Sequence, residues 1–437
     1  MKNSDQTATA AATSSSPARP LRRRFLGLAG GLLAVAGMSA SLANVLAGQR
    51  LVKPRLLNPC HPGPLPESLR ASPWLTGIWQ GLDPAQVWDC HAHLAGTGDS
   101  DSGIVLGAQF AAPTNPAFYA RRLFYMNAAC AAPRHGKSAS VDENFVQHLL
   151  DLVGEMPAGV KLMLFAFDYF HDDAGQPQPD AGGIHVPNDY ARRLAAAHPQ
   201  AFEWVASIHP RRANAVDLLQ EAATHGAKAV KWLPAAQNID PAAPYCDAFF
   251  AALARLRLPL ISHCGEEKAV SADAVRYGNP LRLRRALDAG VRVVIAHCAT
   301  KGDDEDFDNQ GRARSSFELF ARLMDTPQWR DNLRGDISAI TLRNRKPQVI
   351  KTLLERKDWH GRLLNGSDYP LPGILPLISP AALARSGLLP KEAVADLELL
   401  REYNALYFDL ALKRALNWRG NRFSAQVFAT RAFFENT

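Results

Sequence analysis

Four histidines and one aspartate have the residue types and spacing of a metal centre. His91 and His93 form a His-x-His pair, and His263, His297 and Asp368 follow separately along the chain. Side chains two residues apart on a strand project from the same face, so both members of the pair can reach one ion. Neutral imidazole suits zinc and other first-row divalent ions, and an aspartate oxygen completes a set that leaves room for water.

Each of these groups stands at the end of a short apolar run with β character. The runs cover residues 87–88, 258–261, 291–295 and 363–364. Four strands therefore present imidazole or carboxylate groups at their C-terminal ends, which is where α/β barrels build their active sites. A lone His-x-His pair is more often exposed or part of a hydrophobic core than a metal ligand. The metal site is favoured here because four successive strand ends carry candidate ligands.

Eight strand-like runs alternate with helical patterns, as in parallel βα units. The predicted strands are residues 87–91, 160–167, 202–208, 227–233, 258–263, 291–297, 333–337 and 362–366. Eight is the strand number of a TIM barrel. The predicted fold class is therefore α/β, a (β/α)8 TIM barrel with a long insertion after strand 1 and C-terminal closing helices.

The sequence predicts four segments along its 437 residues. Residues 1–48 are a targeting segment, residues 49–85 an N-terminal extension, residues 86–412 the barrel domain and residues 413–437 a C-terminal tail. A hydrophobic content of 47% is ample for the core of one large barrel domain.

The insertion after strand 1 covers residues 96–140 and contains Phe118-Tyr119, Arg121-Arg122 and Phe124-Tyr125. Its place in the chain puts it at the mouth of the barrel, where the strand ends carry the site. Two interpretations are open. The insertion roofs the pocket, or it packs its aromatic residues on the barrel wall.

The N-terminal segment has the features of an export signal. Arg22-Arg23-Arg24-Phe25-Leu26 precedes a moderately apolar stretch at residues 27–48. This pattern resembles a twin-arginine signal and predicts recognition by the twin-arginine export machinery, cleavage and a periplasmic location. The alternative is an uncleaved signal that anchors the protein in the inner membrane, because the stretch approaches the length of a span.

The basic charge of the chain comes mostly from its N-terminus. Five Lys and Arg against one Asp in residues 1–43 give +4 of the net charge of +7, which leaves +3 for the rest. No later run of Lys and Arg with interleaved aromatic residues indicates a nucleic-acid surface, so the expected partner is a small-molecule substrate. A homo-oligomeric state is left open.

The six cysteines lack the spacing of a zinc cluster. Three of them directly adjoin histidines of the set, and strand alternation predicts that their side chains face the helix layer. These three are Cys90, Cys264 and Cys298. An oxidising compartment permits a disulfide that involves Cys60, Cys130 or Cys246, and the sequence does not fix the pairing.

Together the motifs resemble the amidohydrolase superfamily, and within it the amidohydrolase-related branch that includes decarboxylases similar to aminocarboxymuconate-semialdehyde decarboxylase. The resemblance covers roughly residues 86–412. Its carriers are Asp89-Cys90-His91-Ala92-His93, Ile261-Ser262-His263, Ile295-Ala296-His297, Gly366-Ser367-Asp368-Tyr369-Pro370 and Asn404-Ala405-Leu406-Tyr407-Phe408. The Gly-Ser-Asp-Tyr-Pro segment points to the branch.

The resemblance implies a role for each residue of the set. His91, His93 and His263 would bind the metal, Asp368 would bind it and transfer a proton, and His297 would stand near the bound water or the substrate oxyanion. One divalent ion is implied, with zinc expected and manganese as the alternative. From the residues alone, Asp368 as a helix N-cap and His297 as a packing residue stay open.

Lys231 and Arg211 are additional candidates. Lys231 resembles a strand-four lysine that is carboxylated in some superfamily members and bridges two metals, so a second metal is expected only with that modification. An unmodified Lys231 that pairs with an acid or binds substrate charge is favoured. Arg211 follows the third strand, and Arg343 and Arg345 follow the seventh, so a carboxylate-bearing substrate is compatible with the sequence, although surface arginines are commoner.

What the resemblance implies is an enzyme, a metal-dependent hydrolase that uses an activated water on an amide, lactone or ester bond of a small substrate. Non-oxidative decarboxylation of a small unsaturated or aromatic acid is the alternative on the same ligands. A periplasmic binding or structural protein is the third interpretation, and the intact ligand set on four strands counts against it.

Overall fold

The apolar runs of the sequence are parallel strands of one barrel in the computed structural model. The structure describes residues 56–61, 63–107, 110, 116–181, 183–267 and 272–435. All eight predicted strands are present, with bounds that differ by a few residues from the prediction. The barrel strands are β1 Trp88–His93, β2 Lys161–Phe165, β3 Phe202–Val205, β4 Val230–Trp232, β5 Leu260–Ser262, β6 Val293–Ile295, β7 Leu333–Asp336 and β8 Leu363–Leu364.

Neighbouring strands of the chain are neighbours in the barrel. One sheet contains β1, β2 and β3 in order, and a second contains β4 to β8 in order. Parallel bridges join the two sheets on both sides, between Ala206 and Val230 and between Ala92 and Tyr369. The second junction includes a hydrogen bond in which the Asp368 amide donates to the His91 carbonyl at 2.8 Å. This closure brings the last strand beside the first.

Helices alternate with the barrel strands, as the sequence pattern predicted. The α-helices are α1 Glu67–Arg70, α2 Pro73–Gly77, α3 Pro116–Ala128, α4 Val141–Gly154, α5 Asn188–Ala197, α6 Ala215–Thr224, α7 Pro234–Gln237, α8 Asp247–Leu256, α9 Arg284–Asp288, α10 Ser316–Asp325, α11 Pro347–Glu355, α12 Pro380–Arg385, α13 Ala393–Tyr403, α14 Ala405–Ala415 and α15 Arg431–Glu435. The closing helices α13 and α14 meet at Asn404, whose side chain accepts from the Tyr407 amide and caps α14.

Apolar side chains from β1, β2 and the strands that follow fill the barrel interior. The members of this interior cluster are Trp88, Cys90, Met163, Phe165, Val205, Ala229, Ile261, Val294, Leu364 and Phe434. Phe434 comes from α15, so the C-terminal segment packs against the barrel. Thr430 fixes this contact, because its hydroxyl oxygen accepts from the Trp88 amide at 3.0 Å.

The prediction that Cys90 faces the helix layer is wrong. The pairing of β1 with β2 shifts register between Asp89 and Ala92, which is the signature of a β-bulge. Strict alternation fails there, and Cys90 joins the interior cluster next to His91. Cys264 and Cys298 pack in the outer core, as predicted.

A disulfide joins the N-terminal extension to the insertion. Cys60 and Cys130 form it across a sequence separation of 70 residues. Beside it the Asn58 amide donates to Asn127 Oδ1 at 2.8 Å, and Asn127 Nδ2 donates to the Asn58 carbonyl at 3.0 Å. Cys246 is buried and free. The end of α3 is therefore tied to the extension covalently.

Reducing this disulfide is expected to destabilise the protein by about 4 kcal/mol, because a closed loop of that length loses much chain entropy in the unfolded state. The thermal unfolding midpoint, measured with and without reductant, checks the expectation. The double variant Cys60→Ser/Cys130→Ser is the control, since its midpoint should be low and insensitive to reductant. An equal wild-type midpoint under both conditions, with reduction verified by thiol titration, would refute it.

The targeting prediction for residues 1–48 lies outside the described residues and stays a prediction. The described residues all belong to one compact unit, Lys53–Thr437. Within the described part, no helix has the length and apolar character needed to cross a membrane.

Candidate metal centre

The histidines and acids of the predicted set converge at the C-terminal end of the barrel. His91 and His93 lie in β1, and His263 directly follows β5. His297 comes two residues after β6 and Asp368 four residues after β8. Parallel strands place all these positions at one end of the barrel, as the sequence predicted.

Three of the groups form a compact donor set. One side-chain donor atom from each of His91, His297 and Asp368 lies within 4.8 Å of the others, and all three residues are buried. His91 Nε2 is 3.4 Å from Asp368 Oδ1, and His297 Nε2 is 3.8 Å from Asp368 Oδ2. His93 belongs to the same site, because its Nε2 is 3.1 Å from Asp368 Oδ1. The Asp368 carboxylate thus faces three imidazole Nε2 atoms.

His263 approaches this group beside His297. Their ring centroids are 5.1 Å apart. The Nε2 atom of His263 is buried and makes no hydrogen bond within the described residues, with Glu267 Oε2 3.7 Å away. Burial lowers the pKa of His263 to about 4, against the opposing effect of Glu267. The ring is therefore neutral and offers a lone pair, as a metal ligand must.

Asp336 lies on the Nδ1 side of the His91 ring, away from Asp368, and the sequence analysis assigned it no role. It ends β7, is fully buried, and accepts from His91 Nδ1 through Oδ2 at 2.9 Å. Its Oδ1 accepts from the His297 amide at 2.9 Å and from the Ser338 hydroxyl. The Ser338 oxygen lies 2.7 Å from His297 Nδ1 and can accept from it. Both imidazoles thus direct Nδ1 at this pair and Nε2 at Asp368.

Two residues of the set have a backbone conformation that is uncommon outside glycine. His297 has φ 56° and Asp368 has φ 60°, both in the left-handed region. Surrounding hydrogen bonds from the His297 amide to Asp336 and from the Asp368 amide to His91 hold these conformations. Strain of this kind concentrates at functional sites, where it aims side chains that regular strands would not present.

Asp368 is held ionised by its neighbours. Burial raises the pKa of its carboxyl, but His297, His93 and His91 together hold the pKa well below its usual range. His297 is instead held neutral, because burial lowers the pKa of its imidazole well below the ordinary value. The centre therefore combines a carboxylate with neutral imidazoles, which is the charge state that a divalent cation requires.

Lys231 is buried and lies beside His91 of the donor set. Its Nζ is 3.4 Å from His91 Nε2 and 5.1 Å from the centroid of the Phe165 ring. Burial lowers the pKa of Lys231, and Asp336 and Asp368 oppose that effect. The charges of Asp336 and Asp368 act on Lys231, and its role as an acid partner or a substrate contact stays a prediction.

Arg211 has its contacts elsewhere. Its guanidinium stacks 3.9 Å from the Tyr245 ring centroid, and Nη1 donates to the Asp173 carbonyl at 2.8 Å. None of its contacts among the described residues involves the donor set. The structure therefore does not bring Arg211 to the metal centre.

The insertion contributes Tyr125, which the sequence analysis quoted without a role. It lies in α3, and burial raises the pKa of its phenol to about 12, with Asp368 and Glu267 adding to the effect. The charge of Asp368 adds to the shift of this phenol, which indicates that Tyr125 lies on the same side of the barrel as the donor set. The choice between a roof over the pocket and packing on the barrel wall stays a prediction.

The barrel, the strand-end ligands and the family comparison agree. Residues 88–374 match the family model described as amidohydrolase, which is well over half of the chain. The chain belongs to the amidohydrolase family. The match begins at β1 and continues past Asp368, so it includes every histidine of the set.

Solved structures similar to this amidohydrolase are distant in sequence. They include an uncharacterised TIM-barrel protein from Bordetella bronchiseptica, at 19% identity over 72% of this chain and 98% of that one, with a TM-score of 0.43. A protein assigned provisionally as 2-pyrone-4,6-dicarboxylic acid hydrolase from Pseudomonas putida has 14% identity, coverages of 80% and 97%, and a TM-score of 0.41. A 2,6-dihydroxybenzoate decarboxylase from Rhizobium has 13% identity, coverages of 73% and 95%, and a TM-score of 0.36. A search of curated protein sequences finds no match.

Amidohydrolases depend on a metal, and the residues of this centre fit a divalent ion. Such an ion would satisfy the unpaired Nε2 of His263. It would also bind the imidazole Nε2 atoms that converge on one carboxylate. The bond from His91 to Asp336 repeats the carboxylate–histidine arrangement that orients metal ligands. His91, His93, His263, His297 and Asp368 are the residues available to hold the ion.

The variant Asp336→Asn is expected to weaken divalent metal binding by about 10- to 100-fold. The amide carries no charge and cannot accept from His91, Ser338 and the His297 amide at once. Titration of the zinc-free protein against a chelating dye measures the affinity. Asp358→Asn, in an exposed aspartate, is the matched control. Equal affinities for the Asp336 variant and the wild type would remove Asp336 from this role.

Proposed function

We propose that this amidohydrolase is a metal-dependent hydrolase that adds an activated water to an amide, lactone or ester bond of a small substrate. The observation that carries the proposal is the Asp368 carboxylate, which is buried, ionised and directed at the imidazoles of His91, His93 and His297. A carboxylate in such a position is a general base next to the place where water would bind.

Zinc is the proposed ion, with manganese as the alternative, and when bound it would lower the pKa of water and polarise the substrate carbonyl. Asp368 takes one proton from the attacking water and returns it to the leaving nitrogen or oxygen as the carbon–heteroatom bond breaks. Asp336 and Ser338 keep the imidazoles in the tautomer that leaves Nε2 unprotonated. The proposal also assigns α3 a role as a cover that restricts bulk water, since its Tyr125 is subject to the charge of Asp368.

His297 has a neutral ring with Nε2 facing Asp368. It lies within the compact donor set, so it can bind the ion directly or contact the oxygen that becomes negatively charged. We propose the second role, with His91, His93, His263 and Asp368 as ligands. The backbone strain at His297 fits a residue whose position is set for contact with substrate.

The proposed location is the periplasm, through the twin-arginine export machinery. The Arg22-Arg23-Arg24 segment and the apolar stretch after it support this. The disulfide between Cys60 and Cys130 also supports it, because disulfides persist in oxidising compartments.

The test is a screen of the zinc- and manganese-loaded full chain against lactones, esters, amides and aromatic acids in water labelled with heavy oxygen. Hydrolysis incorporates one labelled oxygen into the product and releases no carbon dioxide. The Asp368→Asn variant, at saturating metal, should lose this activity. Stoichiometric release of carbon dioxide without label in the product would replace hydrolysis with decarboxylation.

A further inference from the structure

One peptide unit next to the metal centre is held by side chains on both of its polar groups. The Asp368 amide donates to the His91 carbonyl at 2.8 Å, as in neighbouring parallel strands. The peptide unit that joins Gly366 to Ser367, just before it, uses side-chain partners for its carbonyl and for its amide. Because a buried peptide group needs such partners, the side chains that supply them determine how the backbone enters Asp368.

The carbonyl of this peptide unit accepts a hydrogen bond from Lys413. Lys413 lies in α14 and is fully buried. Its Nζ donates to the Gly366 carbonyl and to Asp409 Oδ2, each at 2.5 Å. Asp409 is four residues earlier in the same helix, so its carboxylate fixes the ammonium group from one turn away. The closing helix α14 thus contacts the segment that carries Asp368.

The amide of the same peptide unit donates to Asp89. The Ser367 amide nitrogen is 2.8 Å from Asp89 Oδ1, which also accepts from the His91 amide at 3.1 Å. One carboxylate oxygen therefore ties the segment before Asp368 to a histidine of the donor set. Gly366 permits this close approach, because a Cβ atom at that position would lie 2.6 Å from the Cβ of His91.

The buried pair of Lys413 and Asp409 is a poor source of stability. Burial raises the pKa of Asp409 to about 7, against the opposing effect of Lys413. Asp409 Oδ1 is buried and has no hydrogen-bond partner among the described residues. Apolar residues of similar volume are often as stabilising as a buried ion pair. A role in placing the neighbouring backbone explains the pair better than a role in stability.

We propose that Lys413, held by Asp409, is a positioning residue that fixes the peptide unit before Asp368 and thereby the place of the Asp368 carboxylate at the metal centre. The role of Asp368 as ligand and base rests on the proposed function. Both positioning residues lie beyond residue 374, where the match to the family model ends. A displacement of about 1 Å in a catalytic group can lower a rate by about 100-fold, so support of this backbone has a measurable effect.

The double variant Lys413→Met/Asp409→Leu tests the proposal, because it replaces the ion pair with apolar residues and removes the donor to the Gly366 carbonyl. The zinc affinity of the full chain, measured by competition with a chelating dye, should fall by about 10- to 100-fold. At saturating zinc, kcat should fall by about 10- to 100-fold with little change in KM. The visible absorption spectrum of the cobalt-loaded variant should also differ from that of the wild type, because it reports the geometry around the ion.

The matched control is Lys161→Met/Glu203→Leu, which removes an ion pair near the starts of β2 and β3, at the opposite end of the barrel from the donor set. It should keep the wild-type zinc affinity and cobalt spectrum. Thermal unfolding shows whether each variant folds, and the single variant Lys413→Met repeats the test if the double variant does not fold. Wild-type zinc affinity and an unchanged cobalt spectrum in the folded Lys413 variant, or equal losses in the control, would overturn the positioning role.

The outcomes separate this inference from the proposed function. Weaker zinc binding in the Lys413→Met/Asp409→Leu variant, in a protein that releases carbon dioxide and hydrolyses no lactone, ester or amide, keeps the positioning role and overturns the hydrolase. Hydrolysis by this variant with the zinc affinity and kcat of the wild type keeps the hydrolase and overturns the positioning role.

Discussion

Replacing Asp368 with asparagine is expected to lower kcat by about 100- to 10,000-fold, the usual contribution of a general acid–base group. Asparagine keeps the size of the side chain and can still contact the imidazoles of His91 and His93, but it cannot accept a proton from water. Steady-state kinetics at saturating zinc measures the loss. Saturation matters because Asp368 is also a proposed ligand, so the variant will bind metal more weakly.

Asp358→Asn is the control for this change, because Asp358 is an exposed aspartate paired with Arg356. It should keep the wild-type kcat and metal content. An Asp368→Asn enzyme that holds a full equivalent of zinc and turns over at the wild-type rate would show that another group transfers the proton.

Replacing His91 with alanine is expected to remove both metal binding and activity. His91 is fully buried, its Nε2 lies 3.4 Å from Asp368, and its Nδ1 lies 2.9 Å from Asp336. The alanine variant leaves two buried carboxylates without this imidazole, so a stability loss of about 2–5 kcal/mol should accompany the loss of metal. Metal analysis of the purified variant and urea unfolding measure the two effects.

The matched control is His225→Ala, since His225 is an exposed histidine at the end of α6. It should retain metal, activity and stability. Wild-type metal content in His91→Ala would mean that the ion, if present, is held by other residues.

The sequence predicted the barrel because its signal is local and repeated. The strands that carry the ligand candidates lie in or directly after short apolar runs, and the candidates stand where those runs end, so chain order alone places them at one end of the barrel. The closing helices were predicted for the same reason. The capping role of Asn404 also fits its place between two helical patterns.

What the sequence did not predict depends on local deviations and on contacts between distant segments. The β-bulge in β1 places Cys90 on the opposite side of the strand from the one that strict alternation predicts, and the sequence pattern does not indicate the bulge. Asp336 received no role from the sequence because a strand-end acid has no visible partner until the barrel places it beside His91, 245 residues away. The period-two spacing of Asp336 and Ser338 is the one signal that could have identified the pair.

The insertion also depends on contacts between distant segments. The charge of Asp368 acts on its Tyr125, and the disulfide ties the end of α3 to the N-terminal extension. The sequence left open both the position of the insertion and the choice among Cys60, Cys130 and Cys246. Arg211 has its contacts outside the donor set, although it follows a barrel strand as the site residues do.

The most direct test of the metal centre is anomalous diffraction from crystals of the full chain loaded with zinc or manganese. The expected result is a single strong anomalous peak among the Nε2 atoms of His91, His93 and His263 and the carboxylate of Asp368. Loss of that peak in crystals of His91→Ala would confirm the assignment. A fully active protein whose crystals show no anomalous peak at these residues would contradict it.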